Sequence, residues 1–292
     1  MNIRINNLCV EFRNGTKALD GVDLEIHHGI FGLLGENGAG KTTLMRTLTT
    51  LLPASSGEIY FDDMKLISEN YSTIQKKIGY LPQELNLYPQ LKMREVLEYM
   101  GQISGLSKEK LKKNIDDYLE KTHLVEQQKK RMSQLSGGMK RRVGLIQAMM
   151  TNPEILIVDE PTTGLDPEER IRIRNLLVDF SKEKTVIFST HVIEDIASTC
   201  KKLAVMRTGK VIYQGEVSDM IAMAKDHIRV MTVSSDEEVA ALEKKYIVCE
   251  KQYGLNGIDL KIISPQESFA EKPDERISLE DAYVYLMNCD RG

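Results

Sequence analysis

No apolar run in these 292 residues approaches the roughly 20 needed to cross a bilayer. The longest, such as Ile155–Val158 and Phe31–Leu34 with Gly32 inside it, have the length of buried strands. An excess of one charge is lacking too, since 39 Lys and Arg stand against 43 Asp and Glu, a net of −4. That balance advertises no nucleic-acid-binding surface, so no nucleic-acid partner is expected. Cysteine is sparse. Cys9, Cys200, Cys249 and Cys289 are scattered with no C-x-x-C spacing. Reduced, structural thiols are therefore expected rather than a zinc or dithiol redox site. The first residues, Met1-Asn2-Ile3-Arg4-Ile5-Asn6, carry no signal-peptide core, which predicts a cytoplasmic chain. What is present, 41% apolar and 28% charged residues, is ordinary for a globular protein and excludes a mostly disordered chain. The length suggests about two domains.

Short apolar strands alternate with helical patterns as far as residue 215. Strands are predicted at Ile30–Leu34, Glu58–Phe61, Ile78–Leu81, Ile155–Val158, Thr185–Ser189, Leu203–Arg207 and Val211–Gln214. Helices are predicted at Thr42–Leu52, stopped by Pro53, and at Pro167–Phe180 and Val192–Ser198. Such alternation implies a largely parallel sheet with helices on its faces. A helical stretch over about 93–151 interrupts it and predicts a subdomain. From Glu216 the pattern changes to a helix at Val217–Lys225, strands at Ile228–Val233, Tyr246–Glu250 and Ile258–Ile263, and a helix at Asp236–Lys245. A polar loop, Pro265–Pro273, leads to a last helix capped by Ser278. These 77 residues suffice for a small α+β appendage.

Gly35-Glu36-Asn37-Gly38-Ala39-Gly40-Lys41-Thr42 fits G-x-x-x-x-G-K-[ST] in full. Glycines permit backbone turns closed to other residues, so successive N–H groups can point into one concavity. The helix that follows adds its N-terminal partial positive charge. Lys41 can reach the β- and γ-phosphates of a nucleotide, and the Thr42 hydroxyl, with Thr43 beside it, can ligate Mg²⁺. Ile155–Val158 runs into Asp159-Glu160 at the end of a strand where open parallel sheets bind ligands. Asp159 is then placed to hold Mg²⁺ through water, and Glu160 to orient or deprotonate an attacking water; a solvated pair of acids is the alternative. Leu135-Ser136-Gly137-Gly138-Met139 opens another helix with a good N-cap and uncovered N–H groups. It reads equally as a second anion-binding helix start or as a plain cap.

Together these segments resemble the ATP-binding cassette (ABC) ATPases. Gly35–Thr42 matches their Walker A loop, Asp159-Glu160 Walker B with its catalytic glutamate, and Leu135–Gly138 the signature motif. Gln83 in Tyr80-Leu81-Pro82-Gln83 matches the Q-loop, Gly164-Leu165-Asp166 the D-loop and Ser189-Thr190-His191 the H-loop. All stand in the family's order within residues 1 to about 215. The resemblance implies an α/β fold, a P-loop cassette with a mixed sheet core and a helical subdomain at about 84–151, in a domain 1–215, with 216–292 as accessory domain. It implies ATP and Mg²⁺ as cofactors, with Thr42, Gln83 and Asp159 around the metal. Glu160, His191 and Gln83 become the catalytic set, His191 as the switch at the γ-phosphate. Phe12, six residues before Ala18, falls where the family's adenine-stacking aromatic sits, although tyrosine is commoner there; a core Phe is the alternative. His27, His28, His123 and His227 match nothing. Small departures are Glu36 in place of a frequent proline, expected to point away from the loop, and Gly29 without a following glutamate.

In such proteins Ser136-Gly137-Gly138 would complete the nucleotide site of a second cassette in trans, in a homo- or heterodimer. Lys41 and Ser136 are 95 positions apart, too close for the long coiled coil of chromosome and repair cassettes. One Walker A excludes the tandem arrangement of ribosome-acting ones. The chain then resembles the ATPase subunit of a transporter whose permease is a separate transmembrane chain, which would hold it peripherally at the cytoplasmic face of the membrane. Ser136–Val143, with Met139-Lys140-Arg141-Arg142, resembles the exporter group paired with ABC-2-type permeases; an importer ATPase or a non-transport cassette is the alternative. Without the family, Lys140–Arg142 reads as an exposed basic face of a helix whose other face, Met139, Val143, Ile146 and Met150, is core. Leu85–Glu98 would line the permease groove, with Tyr88 and Leu91 as apolar contacts or else as subdomain packing.

Replacing Lys41 tests the phosphate loop. A hydrogen bond to a charged group is worth about 1.5–3 kcal/mol, so Lys41→Ala should weaken ATP binding roughly 10- to 150-fold. Unchanged affinity in a binding titration would show that Gly35–Thr42 is not the site.

Overall fold

Two strands that the sequence conceals open the chain, β1 (Ile3–Glu11) and β2 (Lys17–Ile26). The structure is a computed structural model and describes residues 1–85, 87–254, 257–269 and 277–289. In β1 the inward alternation slips from Ile3 and Ile5 to Leu8 and Val10. Asn7 takes up the slip at φ 46°, and the pairing with β2 shifts register between Ile5 and Leu8. This bulge re-aims the strand so that both halves bury the same face.

The chain divides into two units, Met1–Gln214 and Gly215–Gly292. In the first, β3 (Gly29–Leu34) leads through the phosphate loop into α1 (Lys41–Leu48). Next come β4 (Ser56–Phe61) and β5 (Met64–Lys65), which join the opening hairpin in an antiparallel sheet ordered β2-β1-β4-β5. Helix α2 (Tyr71–Gln75) precedes β6 (Ile78–Leu81). Helices α3 (Met93–Ile103), α4 (Lys108–Lys121) and α5 (Gly137–Met149) follow. The chain then runs through β7 (Ile155–Asp159), α6 (Pro167–Ser181), β8 (Thr185–Thr190), α7 (Ile193–Thr199), β9 (Lys202–Arg207) and β10 (Lys210–Glu216). The second sheet is ordered β10-β9-β3-β8-β7-β6, and its pairs from β9 to β6 are parallel.

Helix α1 is packed between the two sheets. Its Leu44, Met45 and Leu48 share one core with Ile5, Leu24 and Phe61 of the first sheet and Phe31, Ile157 and Ile187 of the second. The opposite face of the second sheet is buried as well, at Leu34, Val158, Val186 and Phe188. There α7 comes so close that a Cβ at Gly32 would lie 2.5 Å from Ile196 Cδ1. Burial on both faces explains why these strands read as unbroken apolar runs. Each such side chain contributes about 1.5–3 kcal/mol relative to exposure.

Helices α3 to α5 hold a separate core that includes Met93, Leu97, Leu111, Ile115, Val143 and Ile146. Helix α5 lies directly on β6. A Cβ at Gly79 would sit 2.0 Å from the Ala148 carbonyl oxygen, and one at Gly144 would sit 2.6 Å from Leu81 Cδ1. Helix α6 begins at Asp166, whose carboxylate accepts the Glu169 N–H at 2.9 Å, with Pro167 in the first turn.

Two expectations are corrected. Helix α1 ends at Leu48, not Leu52, and Pro53 is not what stops it. Thr50 turns to φ 63°, and the N–H groups of Leu51 and Leu52 both fold back to the Arg46 carbonyl. Nor do Lys140–Arg142 form an exposed basic face, since Arg141 is 7% and Arg142 4% exposed. Arg142 donates to the Thr122 carbonyl at 2.6 Å and clasps Glu169 of α6 with Nη2 and Nε, each at 3.0 Å. Val143, Ile146 and Met150 are core as expected, and Met139 packs at its edge.

The second unit comprises α8 (Val217–Ala224), β11 (Ile228–Val233), α9 (Asp236–Glu243), β12 (Ile247–Gly254), β13 (Gly257–Ile263) and α10 (Leu279–Asn288). Its antiparallel sheet is ordered β11-β13-β12 over a core of Val233, Val239, Ile258, Leu260 and Ile262. Strand β12 continues to Gly254, beyond the expected Glu250. Ser278 and Asp281 cap α10 reciprocally, each side chain accepting the other's backbone N–H. Of the expected loop Pro265–Pro273, residues 270–273 lie outside the described residues.

Because the first unit holds its own buried cores, a chain ended after Glu216, which keeps β10 whole, should melt cooperatively by circular dichroism and still bind ATP. A folded fragment blind to ATP would refute that division of labour.

Candidate functional site

The site grows from the loop between β3 and α1. Gly40 caps α1 at φ 105°, and a Cβ there would lie 2.7 Å from the Ala18 carbonyl oxygen. Only glycine meets both constraints. Gly38 stands at φ 84° with nothing within 4 Å of where its Cβ would be, so the loop is open on that side. Gly35 and Ala39 are buried, while Glu36 and Asn37 are exposed. Thr42 and Thr43 stand half-buried in the first turn of α1. Lys41 is 5% exposed. Its ammonium donates to the carbonyls of Gly35 at 2.6 Å and Glu36 at 3.0 Å, and lies 3.8 Å from Glu160 Oε1. Burial pushes the Lys41 pKa down, while the carboxylates of Glu160, Asp159 and Glu36 oppose that shift.

Glu160, at the end of β7, gathers the remaining motifs. Its Oε1 lies 3.1 Å from His191 Nδ1. Its Oε2 accepts the Thr163 hydroxyl at 2.9 Å and has Gln83 Nε2 at 3.5 Å, a long contact. The residue is held at φ 47°, a left-handed conformation that costs a non-glycine about 1–3 kcal/mol. Ser189 holds it there, because the Glu160 N–H donates to both the carbonyl at 3.2 Å and the hydroxyl at 3.1 Å of Ser189. The same hydroxyl donates to Asp159 Oδ1 at 2.6 Å. Asp159 is fully buried, and its Oδ2 has no hydrogen-bond partner among the described residues. A buried carboxylate oxygen with unspent lone pairs suits a hard cation. No cluster of three or more His, Cys, Asp or Glu able to hold a metal occurs among the described residues.

Lys41, Gln83, Asp159, Glu160 and His191 are thus brought together. Among the described residues no hydrogen bond or ion pair joins Ser136-Gly137-Gly138 or Phe12 to that group. Ser136 caps α5, its hydroxyl accepting the Met139 N–H at 3.2 Å. Gly137 is exposed with open space at its Cβ position, and Gly138 abuts the Glu169 side chain. Phe12 is 41% exposed just past β1 and is no core residue. Tyr88 and Leu91 are exposed as well, Tyr88 packing edge-on against Tyr99 with centroids 5.5 Å apart. Sequence reasoning missed the roles of Thr163 and Ser189. Each is an ordinary hydroxyl whose importance comes from the turn taken by Glu160.

The family model for ABC transporters matches residues 19–163. Among similar curated proteins is the daunorubicin resistance ATP-binding protein DrrA3 of Streptomyces coeruleorubidus, 32% identical over 94% of this chain and 92% of that one. Another is the methionine import ATP-binding protein MetN of Halalkalibacterium halodurans, 36% identical over 77% of this chain and 70% of that one. Among solved structures, cbiO1 of Clostridium perfringens, part of the transporter complex cbiONQ, is 30% identical with a TM-score of 0.68, over 75% of this chain and 90% of that one. The dimeric cassette MJ0796, in a post-hydrolysis state with ADP and Pi, is 28% identical with a TM-score of 0.67, over 73% of this chain and 98% of that one.

The loop geometry separates two glycines. Gly40→Ala adds strain and a collision and should lower stability by about 1–3 kcal/mol. Gly137→Ala, in open space, should leave the melting temperature where it is. Thermal melts of the two variants check this, and equal effects would contradict the geometry.

Proposed function

This chain belongs to the ATP-binding proteins of ABC transporters and is an ATP hydrolase; on that premise we propose that Glu160 is its general base and that hydrolysis drives export through a separate permease. The observation that carries the reading is the Glu160 carboxylate, which has Lys41, His191, Thr163 and Gln83 around it. The loop N–H groups and Lys41 bind the β- and γ-phosphates, with Phe12 offering its exposed ring to adenine. Thr42, Gln83 and Asp159 would hold Mg²⁺, which would supply positive charge against that developing on the phosphates. Glu160 takes a proton from the attacking water, His191 steadies the γ-phosphate, and Gln83 relays the state of the site toward the permease. Thr163 and His191 fix the Glu160 carboxylate so that its proton-accepting lone pair is oriented.

Ser136-Gly137-Gly138, at the exposed start of α5, caps the γ-phosphate of a second cassette. The dimeric state of the MJ0796 cassette supports that pairing. Among the described residues no helix is long and apolar enough to cross a membrane. A separate permease therefore supplies the membrane path and holds this chain at the cytoplasmic face, with Tyr88 and Leu91 in the contact. The cbiONQ complex supports such a partner. Export is supported by Met139–Arg142 and by the likeness to the daunorubicin resistance protein over 94% of this chain.

Glu160→Gln separates binding from chemistry. The amide keeps the size of the carboxylate but accepts no proton, so the rate should fall about 10²–10⁴-fold, while ATP binding persists. Unhydrolysed ATP should then shift the variant from monomer to dimer in size-exclusion chromatography with light scattering. Adding Ser136→Arg should abolish the shift. Hydrolysis at the parent rate would remove Glu160 from the mechanism.

A further inference from the structure

We propose that Arg141 is a positioning residue for ATP hydrolysis, its guanidinium holding the main chain under Gln83 and the main chain around Glu160 in one fixed relation. The inference rests on the roles given above to those two side chains.

Every hydrogen bond described for Arg141 goes to a main-chain carbonyl. Nη1 donates to Pro82 at 2.7 Å and to Gln83 at 2.8 Å. Nε donates to Pro161 at 3.3 Å, and Nη2 to Asp159. Asp159 and Pro161 flank Glu160, and Pro82 and Gln83 are the Q-loop itself. One planar group therefore ties together two stretches 76 positions apart in sequence. A guanidinium can do this because its donors point outward in a rigid fork. An ammonium has three donors around one point and cannot reproduce all four of these contacts.

The surroundings argue against a mere packing role. Arg142, the next residue, is also buried, but it pairs with a carboxylate, Glu169 of α6, and no hydrogen bond described for its side chain reaches Gln83 or the chain around Glu160. Among the described residues Arg141 has no such ion pair, and burial pushes its pKa down to about 10 against the pull of the Asp159 and Glu160 carboxylates. A buried cation resting on carbonyls is costly to keep. Here it restrains a residue that needs restraint, because Glu160 sits at φ 47° and meets Gln83 only at 3.5 Å. Arg141 also stands five residues after Ser136 on the same helix, about 7.5 Å along its axis. A shift of the signature helix is thereby passed to Gln83 and Glu160 together.

The test compares Arg141→Lys with Arg142→Lys in the full chain. For Arg141→Lys, kcat should fall at least tenfold while the calorimetric Kd for ATP and the KM stay within threefold of the parent. Amide hydrogen exchange should quicken in 78–85 and 155–163. Arg142→Lys should lower the melting temperature yet keep kcat near the parent value. Parental kcat in Arg141→Lys would overturn the proposal, as would a parallel loss of kcat and ATP affinity, or equal loss of kcat in both variants. Should Arg141→Lys fail to fold, the same split is read in Arg141→Gln, and unfolding of both would assign Arg141 to the fold instead. Glu160→Gln, measured alongside, tests the underlying reading separately. If it hydrolyses ATP normally, the role of Glu160 is wrong whatever Arg141 does.

Discussion

A single backbone constraint organises the catalytic half of the molecule: the chain must leave the buried strand β7 through a left-handed glutamate. Strand residues up to Asp159 are buried on both faces, and a regular continuation would alternate faces without regard to the phosphate loop. The turn at Glu160 aims its carboxylate toward Lys41 and His191. Such a turn is not intrinsically stable for glutamate. Its support comes from Ser189 on the neighbouring parallel strand β8, which accepts the Glu160 N–H, and from the fork of Arg141 on either side. The order of β8 beside β7 is thus a requirement of the site as much as of the sheet.

The same turn makes adjacent carboxylates different. Asp159 stays within the sheet, fully buried, with one oxygen on Ser189 and the other uncommitted. Glu160 has both oxygens engaged, one by His191 after β8 and the other by Thr163 three residues further along its own turn. A cation suits the first, and an oriented proton acceptor suits the second. Lys41 serves both electrostatically, since the two carboxylates together favour its charged form against the cost of burial.

The phosphate loop and the Asp159-Glu160 pair were legible because their chemistry admits few residue types at fixed spacing. Strands buried on both faces, such as β7 and β8, were legible as apolar runs. What stayed hidden depends on geometry that no short window carries. The bulge at Asn7 breaks the alternation that would have announced β1. The end of α1 is set by Thr50 and the Arg46 carbonyl rather than by Pro53. Arg141 and Arg142 look like solvated cations until the fold shows that carbonyls and Glu169 surround them. Thr163 becomes a partner of Glu160 only through the left-handed turn between them.

The glycine contacts between α5 and β6 have a mechanical consequence. At Gly79 the strand meets the Ala148 carbonyl of the helix backbone directly, whereas at Gly144 the helix backbone rests on the side chains of Leu81 and Leu85. Sliding α5 along β6 would drive the Ala148 carbonyl or the Leu81 side chain into main-chain atoms, whereas tilting opens only the ends of the interface. Translation of α5 along β6 is therefore resisted most at Gly79, where strand backbone and helix backbone touch without a side chain to give way.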